Sequence, residues 1–514
     1  MSFPQRLLSL ALVPIIALLV LQILSPNVFQ NAHTFLQPYI SSTSPRHHKD
    51  LIPSRFETPL IVSAFPHWSH YEKIAKIAVI LADLGYPITF ITGRIFEKEA
   101  SNLHPNITYY PLLGKADKIT EEEFQTFISL PSGSEEAELY LQKVALVDNM
   151  PATHETLQQV FQKFRGRYGV KKPLLSFFDI VVMGHLPILL GAPGIKPDVS
   201  FAVSCHPLSI DSNDTYPFHV DKLPETGPDA KRIHWRAYQD RHQHYRTREL
   251  DLYLWKKLQN LGAVQDTYPS MLHAMGTLPD HLMTLGIPEF EYPRSDLRKN
   301  IHYFGALQAA QIDSAQEDIL PLWWDDLAIA KQEGKKIVAV SQGTVATNLN
   351  DLLIPTLKAL EDRKDVLVIA STVVVEPSEV PGLILPANAR AAKFVPYNLL
   401  LPYIDVLVNN GGYGAVMTAL DLGIPLVVAG TGQDKILTNN LVQWTGVGIN
   451  LRNLTPSVEA IRDGVCKVLD DGTYKSKAVQ MSKDFEKYNL GEVFDRVIQQ
   501  ALKDWAIGND KVHE

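Results

Sequence analysis

A chain of 514 residues, 46% hydrophobic and 20% charged, is long enough for more than one packed core and too apolar for extended disorder. Its formal charge of -8, with no basic tract, leaves no electrostatic basis for a nucleic-acid partner. The two cysteines, Cys205 and Cys466, exclude a disulfide framework and a cysteine-based metal cluster, and both read as buried thiols.

At the amino end, Leu7–Leu24 (LLSLALVPIIALLVLQIL) carries one glutamine and no charge over 18 residues, close to the shortest helix that spans hydrocarbon. It exceeds the apolar region of a cleaved signal peptide, so it predicts a retained transmembrane signal-anchor at residues 7–24. Residues 1–6 form a short flank before it, and residues 25–58, with the Pro/Ser-rich SSTSPRHHKD, form a tether after it. Arg6 on the near side favours a cytosolic amino terminus and a lumenal body. The expectation is a single-pass membrane protein of the endoplasmic reticulum or early secretory pathway, with its topology open. Glycosylation triplets at Asn106, Asn213 and Asn453 fit a lumenal address without proving it.

Beyond the tether, PLIVSAF, YEKIAKIAVILADLG and PITFITG read as strand, helix and strand. Ile74, Ile77, Leu81 and Leu84 keep helical spacing, while the flanking apolar runs suit buried parallel strands. With ITYYPL, LLSFFDIVVMGHLPILLG and DVSFAVS, they predict a Rossmann-like domain over residues 59–310. Residues 311–332 read as a linker whose Trp323 packs at the interdomain seam. A second alternation, from KKIVAVSQGT through IDVLVNNGG and YGAVMTALDLG to IPLVVAG, predicts another doubly wound parallel sheet over residues 333–480. Residues 481–514 read as crossover helices and tail, with Phe485, Val493, Val497 and Leu502 on an apolar face.

In the second half, Gly411 and Gly412 permit close backbone approach, and Tyr413 opens a helix whose unpaired N–H groups face the gap. Such a turn holds an anion, a pyrophosphate above all. Ser341, Gly343 and Thr344 form a similar turn suited to a phosphate or ribose. Each alone is equally an ordinary tight turn; two in one half favour a nucleotide. The absence of GxxxxGK[ST] and of a well-placed GxGxxG argues against a kinase, an ATPase or a dinucleotide oxidoreductase. In the first half, His67 and His70 have no third ligand in pattern, so no metal is assigned, and His70 at a helix start suits proton chemistry. Asp179, after Phe177 and Phe178, reads in isolation as a helix cap.

AAKFVPYNLLLPYIDVLVNNGGYGAVMTALDLGIPLVVAGTGQDKILTNNLVQWTGVGINL, together with YFGALQ near Phe304 and the histidine-bearing WSHYEKIAKIAVILADLG, resembles the inverting family 1 nucleotide-sugar glycosyltransferases. The likeness is to the bacterial and fungal macrolide-type or secondary-metabolite glucosyltransferases, and it covers about residues 59 to 500. It implies an α/β GT-B fold of two facing Rossmann-like doubly wound parallel-sheet domains, here with an amino-terminal membrane anchor. The amino-terminal domain would bind the acceptor and the carboxyl-terminal domain the nucleotide sugar. The implied reaction is inverting transfer of a hexose, glucose from UDP-glucose first, to a hydroxyl of a hydrophobic small molecule. No cofactor is obligatory, the UDP-sugar being a substrate.

The resemblance places His70 as base, with Asp179 behind it, and Phe394 and Val395 beside the nucleobase. Asn410 and Gly412 fall at the diphosphate, and Asp434 and Lys435 at the sugar. The chain departs from the pattern at several of these positions. Ser69 replaces a glycine, Asn410 a histidine, and Ala415 and Thr418 a serine and a glutamate. Trp68, His185, His206 and Phe218 are candidate walls of the acceptor pocket. Two alternatives stand beside transfer: a nucleotide-sugar epimerase without a separate acceptor pocket, and a non-catalytic, membrane-tethered nucleotide-sugar-binding protein.

Overall fold

The computed structural model describes residues 53–114, 120–131, 134–307, 320–342, 348–373, 375–432 and 434–510. Strands β1 (Leu60–Ser63), β2 (Ile88–Thr92), β3 (Ile107–Pro111), β4 (Leu175–Asp179), β5 (Val199–Ser204), β6 (His281–Thr284) and β7 (Ile301–Tyr303) form one sheet in the order β3-β2-β1-β4-β5-β6-β7. A second sheet holds β8 (Lys336–Ser341), β9 (Val366–Ser371), β10 (Ala389–Ala392), β11 (Val406–Asn409), β12 (Leu426–Val428) and β13 (Gly448–Asn450) in the order β10-β9-β8-β11-β12-β13. Every strand pair is parallel. The two sheets belong to one compact unit, Ser54–Glu514.

Parallel strands connected by helices are covered on both faces, which is why β1, β4, β9 and β11 are buried at every position. Helix α1 (Trp68–Asp83) follows β1 and turns Tyr71, Ile74, Ala75, Ile77, Ala78, Leu81 and Ala82 inward. Phe177 of β4 stacks on Phe201 of β5 at 4.1 Å between centroids. In each sheet the strand order reverses once, between β1 and β4 and between β8 and β11. These are the switch points at which open α/β sheets leave a crevice beyond their strand ends.

The carboxyl-terminal helix α7 (Leu490–Asp510) returns to the first sheet; Phe494 packs 6.1 Å from Phe177 and 5.3 Å from Phe304, centroid to centroid. Val493, Val497 and Leu502 are buried on that face, and Phe485 is buried on the preceding helix. Asp495 locks the docking: it accepts from Arg55 Nε and Nη2, both at 2.8 Å, and from the Tyr86 hydroxyl at 2.7 Å.

Several expectations are corrected. Among the described residues no helix is long and apolar enough to cross a membrane, and Leu7–Leu24 lies outside the described residues. The transmembrane anchor, the membrane partner, the single-pass topology and the secretory address are therefore withdrawn. Trp323 packs within the second half rather than at a seam, its Nε1 donating to Ala391 O of edge strand β10 at 2.9 Å. Cys205 and Cys466 are half-buried, not buried.

The bond to Arg55, ahead of burial, which opposes it, holds the Asp495 carboxyl below the ordinary aspartate range. Its contribution to stability is full above the unfolded value of about 3.9 and is lost as pH falls through the lower folded value. Asp495→Ala is expected to cost about 1–3 kcal/mol near neutral pH, read as a lower thermal midpoint whose gap from the parent narrows in acid. An equal gap at all pH values would mean that packing alone docks α7.

Candidate active site

The β1–β4 pairing sets Ser63 beside Phe178, so the chain leaving β1 meets the end of β4. His67 caps α1 and His70 lies in its first turn. His70 Nδ1 sits 2.8 Å from Asp179 Oδ2. Asp179 is 1% exposed and also accepts the Val181 N–H at 3.3 Å, whereas the His70 side chain keeps 29% exposure. A buried carboxylate requires a donor, so Nδ1 carries the shared proton and Nε2 is the ring nitrogen left with a lone pair. Phe65 packs edge-on against this imidazole at 5.6 Å. His67 instead pairs with the Ser69 hydroxyl at 2.9 Å; burial, then the His70 and Lys73 charges, lower its pKa.

Facing these residues, β11 delivers Asn409 to Gly412 and helix α5 (Tyr413–Asp421) follows. The two glycines differ in physical role. Gly411 has φ +85°, and a Cβ there would lie 1.8 Å from Asn439 Oδ1, so both backbone and neighbour demand glycine. Gly412 caps α5 at φ -61°, and a Cβ would meet nothing nearer than Asn410 Oδ1 at 4.0 Å. Space, not strain, is what Gly412 provides, directly before the free N–H groups of α5. Asn409 Oδ1 accepts the Gly411 N–H at 2.9 Å, and Asn410 Nδ2 donates to Gln342 O beyond β8.

The crevice is narrow at this point. The Tyr413 hydroxyl donates to Leu285 O at 3.0 Å, past the end of β6. Gly286 has φ +99° and a Cβ on it would sit 2.4 Å from the Tyr413 hydroxyl oxygen, so only glycine lets the halves approach this closely. Lys73, one turn beyond His70, donates to Ser69 O and reaches the start of α5, where a Cβ on Gly414 would stand 2.8 Å from its Cε and 3.6 Å from its Nζ. Among the described residues no carboxylate is within ion-pair reach of that ammonium. Lys73 was not singled out from sequence, although its spacing of three from His70 places both on one helix face.

The remaining expected residues divide. Ser341 is buried at the end of β8, while Gly343 and Thr344 lie outside the described residues. Phe394 is 61% exposed and free to meet a flat ligand, but Val395 is 2% exposed and packs inward. Asp434 caps helix α6 (Lys435–Thr445), and both Asp434 and Lys435 are half-buried. His206 and Phe218 meet edge to face at 6.0 Å. Burial lowers the His206 pKa; Asp434 and Asp179 oppose the shift and His70 adds to it, which puts His206 among the crevice charges. Trp68 is 50% exposed, turned towards Tyr71 and Phe96. His185 does not join the set: it is 1% exposed, stacked on Phe178 at 3.8 Å and bonded to the Ser176 hydroxyl at 2.9 Å. Burial drops its pKa to about 3. A shallow recess was also missed; Phe65, Pro66, Leu146, Asn149, Thr153 and Val181 are among the residues that line it, and Phe65 is the one that packs on His70. Among the described residues no three or more His, Cys, Asp or Glu side chains are grouped to hold a metal ion.

Residues 365–493 match the family described as Erythromycin biosynthesis protein CIII-like, C-terminal domain. UDP-glycosyltransferase 2 of Phaeomoniella chlamydospora is 34% identical over 442 residues, which span 85% of this chain and 94% of that protein. The chain belongs to the UDP-glycosyltransferases. UDP-glucosyltransferase avaP of Aspergillus versicolor is 32% identical over 460 residues, 88% of this chain and 98% of that protein. Among solved structures, the glycotransferase of kitacinnamycin aligns with a TM-score of 0.59 at 15% identity, over 86% of this chain and 98% of that one. The spinosyn rhamnosyltransferase SpnG complexed with thymidine diphosphate aligns at 0.54 and 16%, over 86% of this chain and 100% of that one. These structural likenesses concern the fold, a GT-B-like pair of Rossmann-type sheets.

For this UDP-glycosyltransferase the contrast between the glycines is testable. Gly412→Val is expected to leave the thermal midpoint nearly unchanged and to weaken UDP binding roughly tenfold or more by filling the space before α5. Gly411→Ala is expected to destabilise the fold itself. Titration calorimetry with UDP on folded Gly412→Val decides the point, and parental affinity would remove the diphosphate from this turn.

Proposed function

We propose that this UDP-glycosyltransferase transfers glucose from UDP-glucose, with inversion, to a hydroxyl of a hydrophobic small molecule. The observation that carries the reading is the His70–Asp179 pair, bonded at 2.8 Å, with Nε2 left for a crevice that the amino end of α5 faces. His70 Nε2 takes the acceptor hydroxyl proton as the oxygen attacks the anomeric carbon. Asp179 holds the ring and stabilises the imidazolium that forms. The bond from the anomeric carbon to the diphosphate oxygen breaks, and UDP leaves with the electron pair. One direct displacement converts an α-linked donor into a β-glycoside.

Charge on the departing diphosphate falls to the N–H groups of α5 and to Lys73. An ammonium without a carboxylate, at the positive end of a helix, is unfavourable until an anion lies between them. Asn410 adds a neutral donor and Lys73 the full charge. Phe394 supplies an exposed face for the uracil, and Asp434 a carboxylate for sugar hydroxyls. The names of the Phaeomoniella and Aspergillus relatives support the nucleotide, and the latter the sugar.

His70→Ala is expected to reduce single-turnover transfer roughly 100- to 10,000-fold while UDP affinity stays within about twofold of the parent. Asp179→Asn is expected to lose less, because its amide oxygen still orients the ring. A parental rate in folded His70→Ala would place proton removal elsewhere. Lys73→Gln is expected to weaken UDP binding about five- to twentyfold and Lys73→Arg to restore most of it. Equal affinities in all three would confine Lys73 to packing against Gly414.

A further inference from the structure

Between β5 and helix α3 (Ala230–Gln243), which with helix α4 (Tyr245–Asn260) leads on towards β6, the chain passes through His206. Strand β5 lies between β4 and β6, and its Val203 pairs with Asp179. On the other side Ser204 O accepts the Leu285 N–H at 2.9 Å, and Leu285 O is the acceptor of the Tyr413 hydroxyl. His206, two residues beyond Ser204, therefore leaves the sheet between the carboxylate that backs His70 and the seam where the two halves meet. The backbone on both sides of it is tied down. His206 O accepts the Ser204 hydroxyl at 3.0 Å, and Leu208 donates its N–H to Glu291 Oε1 at 3.2 Å. Arg294 donates to Leu208 O at 3.1 Å and to Ile210 O at 2.7 Å.

The imidazole is held as firmly as the backbone. Nδ1 lies 2.8 Å from Pro207 O, and a carbonyl only accepts, so Nδ1 carries the proton and Nε2 the lone pair. Nε2 has no hydrogen-bond partner among the described residues, yet it is not sealed from water as the orphan Nδ1 of His185 is. What stands behind the ring separates His206 from His70: a neutral carbonyl in place of a carboxylate. Burial lowers the His206 pKa and the His70 charge adds to this, while the Pro207 bond, Asp434 and Asp179 only partly offset it. The residue is thus built to accept a hydrogen bond and not to take a proton. Of the charged groups around it, Asp434 of the second half acts on it more strongly than His70 or Asp179, which sets the ring towards the Asp434 end of the crevice.

Resting on the transfer reading above, we infer that His206 is a specificity residue for the donor sugar, its Nε2 accepting a hydrogen bond from one hydroxyl of the hexose beside the Asp434 carboxylate. The reacting hydroxyl of the acceptor gives its proton to His70, so the hydroxyl left for His206 belongs to the sugar that lies between His70 and Asp434. A single lone pair in a fixed direction reads the presence and orientation of one hydroxyl only. A site shaped in this way rejects a sugar that lacks the group, because its own polar atom is then left unpaired.

The test is titration calorimetry on the full chain, without acceptor, using UDP, UDP-glucose and the monodeoxy analogues of UDP-glucose. His206→Phe keeps the shape of the ring and removes the lone pair. It is expected to weaken UDP-glucose binding about three- to tenfold, the worth of one neutral hydrogen bond, with UDP affinity within about twofold of the parent. His206→Gln, whose amide oxygen reaches the place of Nε2, is expected to recover part of the loss. One monodeoxy donor is expected to bind the parent about three- to tenfold more weakly than UDP-glucose does and to lose nothing further in His206→Phe, the non-additivity of two groups in contact. A His206→Phe variant that binds UDP-glucose as the parent does, that loses UDP affinity to the same extent, or that loses equally with every deoxy donor overturns the inference and leaves glucosyl transfer standing. A parent that binds neither UDP nor UDP-glucose overturns the transfer reading itself, and this inference with it.

Discussion

One part-buried hydrogen bond, His70 Nδ1 to Asp179 Oδ2 at 2.8 Å, organises the crevice at the end of the first sheet. Asp179 is 1% exposed, and besides His70 its side chain has the long bond from the Val181 N–H. A carboxylate so far from water is tolerable only while a good donor faces it. The bond therefore fixes the imidazole's tautomer and tilt and ties the first turn of α1 to the end of β4. Neither residue would meet the other without the β1–β4 pairing, which makes a sheet-level switch point the cause of a local proton site.

The second sheet obeys the same geometry with different chemistry. The β8–β11 switch presents backbone N–H groups where the first sheet presents an imidazole. Contacts across the seam hold the two within reach: Tyr413 bonded to Leu285 O, Tyr292 edge-on to Trp444 at 5.5 Å, and Arg452 paired with Asp221 at 2.6 Å. Lys73 belongs to both sides, sharing a helix with His70 and touching the helix that begins at Tyr413.

Much of this was legible in the sequence, for reasons that are local. Short apolar runs and period-3.6 patterns separated strands from helices and adjacent glycines marked the turn after β11, whereas Asp179, a helix cap in isolation, was paired with His70 only by the family resemblance. What failed depended on packing between distant segments. His185 read as a pocket wall, yet it lies on a turn clamped under α2 (Met150–Tyr168): a Cβ on Gly184 would stand 2.6 Å from Thr153 Cγ2, and the imidazole is stacked inward on Phe178. Val395 read as a partner of Phe394, but neighbours in extended chain point to opposite sides, and only Phe394 is exposed. Lys73 escaped notice because its meaning rests on what stands opposite it.

The central claim is a single displacement at the anomeric carbon by a hydroxyl that His70 deprotonates. Proton NMR of the glycoside made from UDP-α-glucose, read at the anomeric coupling before any product is reprocessed, tests it most directly. The account predicts the large coupling of a β-glucoside from the first turnover onward. An α-glucoside would contradict it, because retention requires a second displacement or a front-side mechanism that the His70–Asp179 pair does not provide.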